Sequence, residues 1–206
     1  MVASWARLQT INEPRRTPRQ QRSRETVNTL VEAAAQVFSR EGVTATTNRI
    51  AERAGLSIGT LYQYFPDKFA LLQVLAERHV RDADRQLTDV FARLRADAPP
   101  FDEAMRTVLD AVVGLHGDRP RMHALLHRMT RPTVEQLDAL TDFEDRICAE
   151  LAFHLKRCDR GGDDAEATAR TVVHAIDAQL HRAMTRDGFD IEALLVTVCR
   201  LAPPRG

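Results

Sequence analysis

The stretch TTNRIAERAGLSIGTLYQYFPDK, residues 46–68, decides the fold. It reads as two short helices joined by a turn. Thr46 or Thr47 caps a helix holding Ile50, Ala51 and Ala54, and Gly55 supplies the left-handed residue that closes it. Ser57 caps a second helix running to about Tyr64, and Pro66-Asp67 restarts the chain as a long helix. These are the proportions of a helix-turn-helix. Ala51 is small enough to let the second helix cross close by, while Ile50, Leu56, Leu61 and Phe65 are placed to pack inward on a preceding helix. Ser57, Ile58, Gly59, Thr60, Tyr62 and Gln63 are left for an outer face.

That face suits a DNA major groove. Thr46, Thr47 and Ser57 offer hydroxyls and helix-terminal N–H groups to phosphate oxygens. Gly59 removes bulk where helix and duplex approach, Thr60 can touch a base or a thymine methyl, and Gln63 can bond a base or a phosphate. Tyr62 carries a phenolic donor, Lys68 a point charge, and Asn48 a further polar group at the start of the first helix. Each residue also fits a local role, the hydroxyls as caps and the glycine as a turn residue. Only the combination, on a basic flank, points to DNA.

Moving outward toward the N-terminus, Val27, Leu30, Val31, Ala34, Val37 and Phe38 fall on one face of a helix expected from Ser23 to Gly42. Before it, residues 1–22 read as a flexible basic arm with Pro14 and Pro18 among Arg15, Arg16, Arg19 and Arg22, suited to phosphates or a minor groove. Residues 1–80 hold eleven Arg or Lys against seven acids, so the net charge of +0 conceals a basic N-terminal part on an acidic remainder.

Toward the C-terminus, after the long helix with Leu71, Leu72, Leu75, Leu87, Val90, Phe91 and Leu94 inward, helices are expected at about 101–117, 119–130, 133–159, 163–187 and 190–201. No segment alternates with period two, so the class is all-α, with about nine helices. The expected organisation is an arm at 1–22, a three-helix DNA-binding domain at 23–80 and a helical regulatory and dimerisation domain at 81–206.

The run from Thr46 to Leu72 resembles the N-terminal signature of the TetR (tetracycline-repressor) family: a Thr-rich helix start, an Ile-Ala pair, an Ala-Gly-Leu-Ser turn, a Gly-Thr-Leu-Tyr helix and a Tyr-Phe to Asp-Lys junction. With helix 1, the likeness covers residues 23–78. It implies that Thr46, Thr47, Asn48, Thr60, Tyr62 and Lys68 stand at the family's DNA-contacting positions, and that Ile58 departs from the polar or basic residue often found at its place. It further implies a homodimer on double-stranded operator DNA, a repressor released by a small, partly apolar effector, and dimerisation through the last two long helices. The dimer face is then expected from Val172, Ile176, Leu180, Leu194, Leu195 and Val198. A ligand pocket is expected from Met105, Leu109, Val112, Leu125, Met129, Phe143, Ile147 and Leu151, with His123 or His127 as polar handles.

Other classes are disfavoured. No apolar run approaches the ~20 residues of a membrane span, and Met1–Asn12 lacks the apolar core and cleavage site of a signal peptide, so a cytoplasmic protein is expected. Cys148, Cys158 and Cys199 have no CxxC spacing and read as packing thiols. The histidine pairs His123/His127 and His174/His181 come with no HExxH motif or carboxylate cluster, so no metal or cofactor is expected. No nucleophile elbow, phosphate loop or acid–base pair suggests an enzyme.

Overall fold

The computed structural model describes residues 18–117, 120–129, 134–184 and 188–205. Among them are nine α-helices: α1 Pro18–Glu41, α2 Thr47–Ala54, α3 Ile58–Tyr64, α4 Lys68–Asp97, α5 Phe101–Gly117, α6 Pro120–Met129, α7 Val134–Arg157, α8 Ala165–Ala178 and α9 Ile191–Leu201. A 3-10 turn, Gly42–Thr44, follows α1, and a π-helical turn, Gln179–Met184, follows α8. No strand occurs among the described residues, which agrees with the all-α expectation; Arg160 and Pro204 form an isolated bridge. No described helix is long and apolar enough to cross a membrane.

The helix-turn-helix is bounded by the caps expected of it. The Thr46 hydroxyl accepts from the Arg49 N–H at 3.3 Å, and the Ser57 hydroxyl accepts from the Thr60 N–H at 3.0 Å. Gly55 sits at φ 67°, and its N–H reaches the carbonyls of Ala51 and Glu52. Asp67 caps α4, its Oδ1 accepting from the N–H groups of Phe69 at 2.8 Å and Ala70 at 2.9 Å.

Two boundaries differ from the sequence reading. Helix α1 reaches back to Pro18, so Ser23 lies inside it and residues 18–22 are helical rather than part of a flexible arm. Proline is tolerated in a first turn, and Gln20, Gln21 and Arg22 are good helix formers, with Gln21 Nε2 donating to Glu25 at 3.2 Å one turn on. The rest of the arm, residues 1–17, lies outside the described residues. The single helix expected at 163–187 starts instead at Ala165, because the Asp164 side chain caps it through the Ala167 N–H at 2.8 Å. Its bonding widens to a π-helical turn from Gln179, and residues 185–187 lie outside the described residues.

Two apolar cores result. The first joins α1, α2, α3 and the start of α4 through Leu30, Val31, Val37, Phe38, Ile50, Leu61, Phe65, Leu71 and Leu72. Helix α6 enters this core with Met122, Leu125 and Leu126, at the i, i+3, i+4 spacing of one helix face. The second gathers α4, α5, α7, α8 and α9 around Leu94, Phe101, Leu109, Leu155, Ala169, Val172, Leu194 and Val198. Arg146 pairs with Asp84, Arg95 with Glu150, and Arg157 Nη1 donates to the Ala98 carbonyl, so α7 runs in the same sense as α4.

Asp67→Ala removes the acceptor of two amide donors at the α3–α4 junction. It is expected to lower stability by ~1–2 kcal/mol, seen as a lower urea midpoint of the helical circular dichroism signal with no change in its amplitude before the transition.

Candidate nucleic-acid interface and regulatory cavity

Helix α3 is only seven residues long and packs by one face. Leu61 is fully buried and Tyr64 partly so, which turns Ser57, Ile58, Gly59, Tyr62 and Gln63 outward, with Thr60 half-buried between them. Tyr62 is 53% and Ile58 37% exposed. The Tyr62 hydroxyl lies 3.1 Å from Thr47 Oγ1, tying the outer edge of α3 to the first turn of α2. The hydroxyls of Ser57 and Thr60 lie 2.8 Å apart, which orients the Thr60 side chain. A Cβ at Gly59 would meet only Ser57 Oγ, at 3.7 Å, so glycine here lowers the outer profile rather than avoiding a clash. Thr46 and Asn48 are exposed beside this surface and Thr47 is half-buried. The expected face is therefore assembled, except at Lys68.

Lys68 Nζ donates to the carbonyls of Val43 at 2.7 Å and Ala45 at 3.0 Å. The sequence reading offers this ammonium to phosphate; here it is engaged with the chain's own carbonyls. The 3-10 turn after α1 leaves carbonyls without helical partners, and the ammonium turns inward to serve them. Nearby, Arg49 pairs with Glu41 and Glu52, and Arg53 donates to Gln36 Oε1 at 2.6 Å.

Behind the second core lies a cavity of about 540 Å³. Of the residues expected to form a pocket, Met105, Leu109, Val112, His123, Phe143, Ile147 and Leu151 line it. Leu125 is instead buried in the first core, because its face of α6 points to α1, and Met129 is 38% exposed. The side chain of His127 lies outside the described residues. The expected dimer residues are also placed differently. Val172, Ile176, Leu180 and Val198 are buried and line the same cavity, Leu194 is fully buried, and Leu195 packs half-buried against the second core. Their apolar faces close the chain's own interior, while Val196 and Leu201 on the outer side of α9 are exposed.

The cavity wall holds a histidine group that spacing along the chain did not reveal. His79 of α4, His116 of α5 and His123 of α6 have ring centroids 4.3–5.2 Å apart, and His181 of the π-helical turn lies 4.8 Å from His116. His116 Nδ1 is 2.7 Å from the Val112 carbonyl, and His181 Nε2 is 3.3 Å from Asp177. Burial, reinforced by His116 and His181 and opposed by Asp82, lowers the His79 pKa to about 4. Among the described residues, no three His, Cys, Asp or Glu side chains are arranged to hold a metal ion.

A recognition helix backed by a three-helix core, joined to a helical domain with an internal cavity, defines a helix-turn-helix transcriptional regulator. Residues 30–75 match the family described as "Bacterial regulatory proteins, tetR family", and residues 100–202 match "Tetracyclin repressor-like, C-terminal domain". The chain belongs to the TetR family of DNA-binding transcriptional regulators. It is 30% identical over 175 residues to the HTH-type transcriptional regulator BetI of Cronobacter sakazakii, covering 79% of this chain and 82% of BetI. It is 30% identical over 132 residues to the tetracycline repressor protein class A from transposon 1721 of Escherichia coli, covering 61% of this chain and 55% of that repressor. The crystal structure of FadR from Bacillus subtilis in complex with stearoyl-CoA shares the fold, with a TM-score of 0.57 and 18% identity over 84% of this chain and 96% of FadR.

Two outcomes follow from the inward-turned groups. Lys68→Met leaves two carbonyls without their donor and is expected to cost ~1–3 kcal/mol of stability, measured by denaturant titration. His79 resists a proton that the unfolded chain accepts near pH 6.5, so its contribution is complete above that pH and fades as pH falls toward about 4. His79→Leu is expected to flatten the loss of stability between pH 7 and pH 4, by roughly 2–3 kcal/mol, in denaturation curves across that range.

Proposed function

We propose that this regulator is a cytoplasmic homodimeric repressor, released from a near-palindromic operator by a small, partly apolar molecule bound in the cavity. The observation that carries the reading is the outward face of α3, where Gly59, Thr60, Tyr62 and Gln63 stand on a helix held rigidly by Leu61 beneath it. Two copies of α3 would enter successive major grooves, roughly 34–36 Å apart. A dimer is required because one such helix touches too few base pairs for useful specificity. Thr46, Thr47, Asn48 and Ser57 would bond phosphates or bases beside it, and the basic arm would add phosphate contacts.

The outer surfaces of α8 and α9, including Val196 and Leu201, would form the subunit contact. The cavity's volume falls in the range of small-molecule sites, and the stearoyl-CoA held by FadR supports an effector with a long apolar part. Two elements link this cavity to the DNA face. Helix α4 starts in the first core and carries His79, Leu87 and Phe91 along the cavity, and α6 gives Leu126 to both. An effector lowers DNA affinity only by preferring the arrangement of α4 and α6 that separates the two α3 helices wrongly.

The test is gel-shift titration of operator fragments recovered from genomic DNA by the purified protein. Thr60→Ala and Tyr62→Phe are each expected to weaken binding about tenfold while the variants stay folded by circular dichroism at the assay temperature. Wild-type affinity in both variants would remove α3 from the interface.

A further inference from the structure

His154 of α7 is fully buried and lines the cavity. Its Nδ1 lies 3.4 Å from Arg157 Nη2, an atom that only donates, so Nδ1 accepts and the ring proton sits on Nε2. That Nε2–H has no hydrogen-bond partner among the described residues. Buried donors are almost always matched with acceptors, and because His154 belongs to the cavity's lining, a ligand oxygen that displaces the packing over Nε2 can supply the missing one. Arg157 Nε, directly behind it, is likewise buried without a partner among the described residues.

The charge around His154 has a definite sign. The Arg157 guanidinium is held by the carbonyls of Ala98 and Pro99, and among the described residues no carboxylate pairs with it. Glu150, the acid near His154, is already matched by Arg95 at 2.8 Å. Burial first, and then Arg157, lowers the His154 pKa, so the ring stays a neutral donor with a cation behind it. This end of the cavity therefore favours an anion and disfavours an ammonium.

The remaining walls define the rest of the molecule. Because α7 runs in the same sense as α4, His154 stands level with the last turns of α4, roughly four turns and ~22 Å beyond His79 by helical rise. Between them the lining is mostly apolar, with Leu87, Phe91, Met105, Leu109, Leu151 and Val198; its two carboxylates, Glu144 and Asp177, are already matched by His174 and His181. We propose that the cavity takes an elongated apolar molecule ending in a carboxylate, and that this carboxylate accepts a hydrogen bond from His154 Nε2–H. The inference rests on the cavity being the effector site, and names the chemical class of that effector.

The experiment compares three probes of one chain length, dodecanoate, dodecanol and dodecylamine, by calorimetric titration into the full chain. Dodecanoate is expected to bind about tenfold more tightly than dodecanol, a charge-assisted hydrogen bond against a neutral one, with dodecylamine weakest. His154→Leu is expected to erase the preference for the acid and leave dodecanol within about threefold of wild type. His154→Gln, which keeps an N–H donor, is expected to restore part of it. Nitrogen NMR of the wild-type protein gives a readout independent of any variant: dodecanoate, and not dodecanol, should shift the His154 Nε2 resonance strongly. Equal binding of acid and alcohol, or a preference for the amine, overturns the carboxylate assignment while leaving the cavity as an apolar ligand site. Binding of none of the three overturns both.

Discussion

Leu61 is fully buried on a helix of seven residues. A helix of two turns has no stability of its own in water, so α3 persists because it packs on α2 and buries Leu61, with Phe65 just beyond its end, in the first core. The same burial sets the rotation of the helix. With Leu61 inward, Tyr62 and Gln63 on one side and Ser57, Ile58 and Gly59 on the other turn to solvent. The Ser57 cap starts α3 and the extended backbone at Phe65 ends it, so its exposed surface is short. Every functional statement about the N-terminal part depends on that packed leucine.

The two cores are not independent. Leu126 sits in the first core and on the cavity wall, and neighbouring His123 faces the cavity from the same helix. Helix α4 passes from one core to the other without a break. A close-packed interior transmits small displacements instead of absorbing them, and α4 and α6, which carry His79 and His123, both pack on α1. The histidines suit that position. His116 and His123 are buried and His79 and His181 half-buried, and together they place polar ring atoms on the cavity wall where α4, α5, α6 and the π-helical turn meet; π-helical turns recur at functional sites.

Charges elsewhere serve local ends. The exposed pairs Arg146–Asp84 and Arg95–Glu150 contribute little to stability, and their value lies in showing how α7 is aligned on α4. Lys68 is spent on the carbonyls of Val43 and Ala45. All three cysteines are free, and burial with nearby Glu144 and Asp145 pushes the Cys148 thiol up, which leaves little thiolate for redox chemistry.

What could be read in the amino-acid order was whatever depends on neighbours a turn or two away. A cap at Thr46 or Thr47, the cap at Ser57, the left-handed Gly55, and the inward set Ile50, Leu61 and Phe65 are local patterns, and the all-α class and the outward side of α3 followed from them. The cavity was half legible, since Met105, Leu109, Phe143 and Ile147 form apolar stripes, but a stripe shows only that a helix has an inside. Which inside it is depends on packing between distant segments. That is why Leu125 went to the first core, why Val172, Ile176 and Leu180 turned toward the protomer's own cavity, and why Lys68 turned to the carbonyls of a loop more than twenty residues earlier. His79, His116, His123 and His181 come from four separate elements with no common spacing. Only the folding of the chain in three dimensions brings their rings together, because side-chain contact between elements is set by how helices cross, and no local pattern encodes that crossing.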